Sequence, residues 1–365
     1  MARLALGLTH AYQGKRVLVT GHTGFKGSWL GLWLCELGAE VCGFALAAPT
    51  PSHFASVALG RRIHHVEGDI RDRAAVDAAF RAFGPEIVFH LAAQPLVRES
   101  YRAPAATFDV NVGGTVSVLE AVRECASVRS VVVVTSDKCY ENREWDFAYR
   151  ENDPLGGHDP YSASKAAAEV VAHSYRRSFF SQGSDVALAT ARAGNVIGGG
   201  DWAADRLVPD CVRALVAGAP LLVRNPSSVR PWQHVLEPLR GYLLLGGALG
   251  ELRHRVPEAF NFGPKLGPSV TAHQVATEFL SAWPEASIEV PPPERAEPHE
   301  ARMLRLASER AADYLGWVAE LSAQESVEWT VDWYRRWFTE GRAEGAMLEH
   351  SIAQIHAYLA RLSSH

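Results

Sequence analysis

The sequence predicts an α/β fold: a parallel sheet with helices on both faces, followed by a smaller C-terminal α/β lobe. Three observations predict it. Short, uniformly apolar runs such as Arg16-Val17-Leu18-Val19-Thr20 and residues 129–136 alternate with longer stretches of helical periodicity. Strands apolar on both faces belong to parallel sheets covered on both sides. A glycine-rich loop, Gly21-His22-Thr23-Gly24-Phe25-Lys26-Gly27, falls directly between the first such strand and the first helix. Beyond Ala203 the strict alternation fails, which marks the second lobe.

Length and composition agree with two lobes. The 365 residues exceed what one hydrophobic core usually serves. A hydrophobic share of 47% with 21% charged residues suits a packed globule and excludes a disordered chain. The net charge of -5 provides no global attraction for nucleic acid or an anionic membrane, so neither is an expected partner. Cys35, Cys42, Cys125, Cys139 and Cys211 show neither C-x-x-C spacing nor histidines at zinc-finger distances, so no metal is expected. They read as mostly buried thiols in a reducing compartment. No run approaches the length of a membrane span, and residues 1–13 are too short and polar for a secretory signal, so the expected location is the cytoplasm.

Each element follows in order. After strand 16–20 and the glycine loop, residues 28–37 form an amphipathic helix that stops at Gly38. Strand, glycine loop and helix in this order make a Rossmann-type dinucleotide site. The glycines allow a tight turn and close approach of backbone to a pyrophosphate, which meets the unpaired N–H groups of the helix. A second strand, 40–46, ends in Ala45-Leu46-Ala47-Ala48-Pro49, with neither an acid nor an arginine to read the adenosine ribose. A third, 63–66, is followed by Asp69 and Ile70; Asp69 meets the adenine or caps the helix over 72–83.

Residues 86–94 are a buried strand whose end, Leu91-Ala92-Ala93, is small enough for a cofactor to pass over. A long helix is expected over 108–125. The valine-rich strand 129–136 then delivers Thr135, Ser136, Asp137 and Lys138 to the same sheet edge as the glycine loop. Asp159-Pro160-Tyr161-Ser162-Ala163-Ser164-Lys165 opens the next helix and sets Tyr161 and Lys165 four residues apart on one face. A phenol is a poor base at neutral pH, and a neighbouring ammonium favours its phenolate. The pair is suited to deprotonating an alcohol.

A strand over 186–192 leads to Asn195 and Gly198-Gly199-Gly200-Asp201. A helix over 207–217, a short strand over 221–223 and an apolar helix ending near Leu249 come next; residues 284–298 read as a loop. Trp329, Trp333 and Trp337 recur on one face of the helix over 323–338, a stripe that reads as core or interface. The expected division is a dinucleotide-binding domain over 1–194 with a returning segment at 231–255, and a second lobe over 195–230 and 256–365.

Together, Gly21-x-x-Gly24-x-x-Gly27, Asp69, Thr135 and Tyr161-x-x-x-Lys165 resemble the extended short-chain dehydrogenase/reductase superfamily. Blocks 20–30, 135–140, 150–161, 192–202 and 230–238 resemble, more narrowly, its CDP-glucose 4,6-dehydratase family. The resemblance implies bound NAD, held by Gly21, Thr23, Gly24, Phe25, Lys26, Gly27, Asp69, Ile70, Leu91, Ala92, Ala93, Tyr161 and Lys165. CDP-glucose or a similar nucleotide sugar is the implied substrate, with Gln94, Asn195, Arg206, Arg230 and His234 as contacts; His22 is expected to face the cofactor phosphates or the substrate.

Thr135, Asp137, Lys138, Tyr161 and Lys165 are the implied catalytic set. Tyr161 would take the proton of the 4-hydroxyl, Thr135 would hydrogen-bond that hydroxyl, and Asp137 would protonate the leaving 6-hydroxyl. Lys138 stands where related dehydratases carry a glutamate base, which leaves the C5 base open. The resemblance also implies a homodimer paired through the helices that begin near Phe108 and Tyr161. A 4-epimerase or decarboxylase of the same superfamily, or a non-catalytic NAD-binding sensor, shares most of these residues.

Overall fold

The computed structural model describes residues 2–223, 225–265, 270–290, 304–340 and 342–362; the expected 284–298 loop lies outside them from residue 291. Seven strands form the main sheet: β1 (Arg16–Thr20), β2 (Glu40–Ala45), β3 (His64–Glu67), β4 (Ile87–His90), β5 (Ser130–Val134), β6 (Ala187–Ala193) and β7 (Ala259–Phe262). Their order is β7-β6-β5-β4-β1-β2-β3, and every pair is parallel. The order reverses between β1 and β4, which opens a crevice at their carboxyl ends. Strand β7 comes from a segment beyond the 231–255 return expected from sequence.

Two glycines make that crevice possible. Gly21 has φ of 78°, and a Cβ there would lie 2.7 Å from the Ala92 nitrogen. A Cβ on Gly27 would sit 2.1 Å from the Gly21 carbonyl oxygen. Only bare backbone lets the loop fold back on itself and lie against the end of β4.

Helix α1 (Phe25–Glu36) follows the loop and is buried from Gly27 to Leu34. The amphipathic helix expected over 28–37 is thus apolar all round, because its outer face is covered as well. Trp33 meets Tyr358 edge-on, and Trp29 stacks on His53, whose other nitrogen reaches Ser351. The helix expected over 108–125 is interrupted: a π-turn, Asp109–Gly113, precedes α2 (Gly114–Glu124). The turn presents Asn111, whose amide nitrogen donates to the Gln94 carbonyl and to Ser164 Oγ at 3.1 and 2.8 Å.

Helix α3 (Pro160–Ser178) begins with an Asp159 cap, which accepts from the Ser162 N–H at 2.9 Å, and with proline at its first position. Helix α4 (Leu236–Leu252) is buried beneath β5 and β6. The second lobe contains two parallel two-strand pairs, Val196–Ile197 with Gln233–His234 and Leu221–Leu222 with Ile288–Glu289. The tryptophan stripe lies inside: Trp333 is fully buried and donates to Ser351 Oγ at 3.0 Å, and Trp337 packs on Trp202.

Candidate active site

A cleft of about 800 Å³ lies between the carboxyl edge of the sheet and the loops of the second lobe. The glycine loop, Asp69, Ile70, Leu91, Ala92 and Ala93 line one part of it. Thr135, Asp137, Lys138, Tyr161, Lys165, Asn195, Arg206 and Arg230 line the rest. Three sequence-predicted contacts stand elsewhere. His22 turns under β2, where its Nε2 lies 2.6 Å from His65 Nδ1 and a Cβ on Gly43 would strike its ring at 2.2 Å. Burial lowers its pKa to about 3, so it is a neutral packing residue.

His234 is also fully buried, edge-on to Trp29 and Trp329, and is held neutral by burial with a pKa of about 3. Gln94 braces its own loop: its side chain accepts from the Leu96 N–H and donates to Thr107 Oγ1. Neither side chain lines the cleft. At the end of β3, both Asp69 oxygens bind the Arg71 guanidinium, which holds the carboxyl below the usual carboxylate range. Asp72, not Asp69, caps the helix that follows, accepting from the Ala75 N–H at 3.1 Å.

The end of β5 sorts two adjacent hydroxyls. Thr135, expected beside the substrate, donates instead to Glu169 Oε1 on α3, although its residue still lines the cleft. The hydroxyl beside the phenol is Ser136, which interacts with Tyr161 and donates to Asp137 Oδ1 at 2.9 Å. Ser136 also accepts from the Lys138 N–H at 3.2 Å, capping a short 3-10 turn, Asp137–Cys139. Both residues line the cleft, but the Glu169 carboxylate takes the Thr135 hydroxyl and leaves that of Ser136 to the phenol. The Ser-x-Lys cap after the valines was the available sequence signal.

Burial governs the charges. It raises the Asp137 carboxyl, against the opposing effects of Lys138, Ser136 and Lys26, and so favours the protonated acid. It pushes the Tyr161 phenol up to about 12, with Ser136 and Arg206 acting to lower it. Lys165 is not a leading influence on that phenol, contrary to expectation; its ammonium donates to the Val134 carbonyl at 3.3 Å. Burial also brings Lys165 down to about 8, which leaves it mostly cationic at neutrality. Lys26 falls to about 7, mainly by burial and with help from Arg206, and its Nζ lies 3.5 Å from the Tyr242 hydroxyl. Arg206 is held charged by Asp201 at 3.0 Å. Among the described residues no group of three or more His, Cys, Asp or Glu side chains is placed to hold a metal.

A glycine loop, a phenol and a buried lysine converging on one edge of a Rossmann-type sheet are the marks of the extended short-chain dehydrogenase/reductase class. Within it the chain belongs to the GDP-mannose 4,6 dehydratase family, whose model matches residues 18–330. It is 48% identical to the CDP-glucose 4,6-dehydratase of Salmonella typhimurium over 331 residues, 89% of this chain and 92% of that protein. It is 29% identical to the UDP-glucose 4-epimerase of Mycolicibacterium smegmatis, over 88% of this chain and 98% of that one.

Among solved structures, DesIV, the dTDP-glucose 4,6-dehydratase of Streptomyces venezuelae with NAD bound, matches with a TM-score of 0.72 and 28% identity. The match covers 88% of this chain and 97% of that one. The epimerase Mth375 of Methanothermobacter thermautotrophicus has a TM-score of 0.77 at 24% identity, covering 92% and 96% of the two chains, a likeness of fold.

Proposed function

We propose that this chain is an NAD-dependent hydro-lyase that converts CDP-D-glucose to CDP-4-dehydro-6-deoxy-D-glucose. The observation that carries the chemistry is the buried Asp137 beside Ser136 and Tyr161, an acid kept toward its protonated form where a 4-epimerase has no use for one. The choice of nucleotide rests on the 48% identity to a CDP-glucose enzyme.

The glycine cradle fits NAD, since Gly21 and Gly27 let the loop pack tightly on itself and on the end of β4 at the mouth of the cleft, where a pyrophosphate would meet the helix N-terminus. Bound NAD supplies a reversible hydride acceptor. Tyr161 takes the 4-hydroxyl proton as C4 is oxidised, with the Ser136 hydroxyl beside the phenol. Lys165, mostly cationic at neutrality, would hold the ribose of the bound cofactor. A ketone at C4 makes the C5 proton removable, so oxidation precedes elimination. A base takes the C5 proton, Lys138 stabilises the enolate, Asp137 protonates the departing 6-hydroxyl, and the base returns the proton to C5. The bound cofactor would supply the hydride to C6 that closes the turnover. Arg206 and Arg230 offer guanidinium groups to the diphosphate, and Asn195 contacts the sugar.

The enzyme acts in the cytoplasm as a homodimer. No described helix is long and apolar enough to cross a membrane. Tyr101, Phe108, Val170 and Phe179 leave apolar surface exposed around the helices expected to pair.

The test is incubation with NAD and, separately, CDP-, dTDP-, GDP- and UDP-glucose, following the alkaline absorbance of a 4-keto-6-deoxy sugar and the loss of water by mass. Product from CDP-glucose is expected. Loss of water from none of them would send the assignment to an epimerase or decarboxylase.

A further inference from the structure

We propose that the Ser136 hydroxyl passes the proton that Tyr161 takes from the substrate 4-hydroxyl on to the Asp137 carboxylate, resetting both groups after each turnover. This rests on the dehydratase reading above. In that reaction the hydrogen on C4 ends on C6 as hydride, and the C5 proton returns to C5. The water therefore consists of the C6 hydroxyl and the proton lost from O4. Two different residues handle that proton: Tyr161 accepts it at O4, and Asp137 donates one at O6. After a turnover Tyr161 carries a proton that it must lose, and Asp137 lacks one that it must regain.

Ser136 joins the two. Its Oγ interacts with the Tyr161 phenol and donates to Asp137 Oδ1 at 2.9 Å, while the Lys138 N–H holds it in place at 3.2 Å. A hydroxyl has one hydrogen and two lone pairs. Here the hydrogen goes to Asp137, one lone pair receives the Lys138 N–H, and the other is left for the phenol. In the transfer the Tyr161 O–H bond breaks as a new Ser136 O–H forms, and the original Ser136 O–H breaks as Asp137 gains its proton. Serine ends neutral, and no other donor is needed. Ser136, Asp137 and Tyr161 are 7%, 3% and 8% exposed, so exchange with bulk water is restricted. Burial raises the Asp137 carboxyl above the usual carboxylate range, which favours its taking up the proton. Thr135 cannot take this part, because its hydroxyl is turned to Glu169.

Rapid-quench kinetics with CDP-glucose on the NAD-loaded enzyme test the relay. Wild type, Ser136→Ala and Ser136→Thr are compared with enzyme in excess, which reads one turnover, and in the steady state. In Ser136→Ala the ratio of steady-state to single-turnover rate should fall about 100-fold, with one product per site formed before the slow phase. Ser136→Thr should restore the ratio. Ser136→Gly replaces Ser136→Ala if the latter does not fold. Equal losses in both regimes, loss of all turnover, or a ratio that threonine does not restore would overturn the relay. A wild type that forms no dehydrated product would instead count against the dehydratase reading itself.

Discussion

Glu169 and Arg192 form a 2.7 Å ion pair, 3% and 4% exposed, directly behind the strand end that carries the site. The same carboxylate accepts from Thr135 and, at 2.8 Å, from Thr190, and Arg192 also donates to the Tyr140 hydroxyl at 2.7 Å. The pair thus ties α3, which carries Tyr161 and Lys165, to β5 and β6. Glu169→Gln leaves Arg192 as an uncompensated buried charge, so a loss of about 3–5 kcal/mol of stability is expected. The urea unfolding midpoint measures it; an unchanged midpoint would count against this account.

Asp137 separates dehydration from oxidation. Asp137→Asn should lower product formation by about 100- to 10,000-fold. Oxidation at C4 does not need this acid, so mixing the variant with CDP-glucose should still produce the absorbance of reduced cofactor. An undiminished rate would favour epimerase chemistry.

The pH profile follows from two shifts. The phenol is pushed up to about 12, so the rate of C4 oxidation, read as formation of reduced cofactor, should climb with pH through neutrality as the phenolate fraction grows. Lys165 loses its charge above about 8, so the profile should turn down there. Lys165→Arg stays cationic and should move the alkaline limb upward, whatever its effect on the plateau. A limb that does not move would assign it to another group.

The glycine loop admits a graded test. Gly27→Ala puts a Cβ 2.1 Å from a backbone carbonyl oxygen, whereas at Gly24 the nearest atom is 3.3 Å away. NAD affinity, measured by calorimetric titration, should fall at least about tenfold for Gly27→Ala, equivalent to about 1.4 kcal/mol. Gly24→Ala should lose less. Equal losses would argue against close backbone approach at Gly27.

The sequence by itself determined the strand–loop–helix opening, the parallel sheet and the spacing of Tyr161 and Lys165. Strand Arg16–Thr20 and helix Leu207–Ala217 have the bounds read from sequence. These are local patterns, in which a few neighbouring residues encode a period or a turn. The tertiary structure decided which neighbouring hydroxyl meets the phenol. Thr135 is claimed by Glu169, 34 positions along, and Ser136 is left to the cleft. Contacts across the chain likewise bury His22 and His234, enclose α1 between the sheet and the C-terminal helices, and add β7 to the sheet. The linked residues lie far apart in sequence, up to 298 positions between His53 and Ser351, so no local window contains both partners.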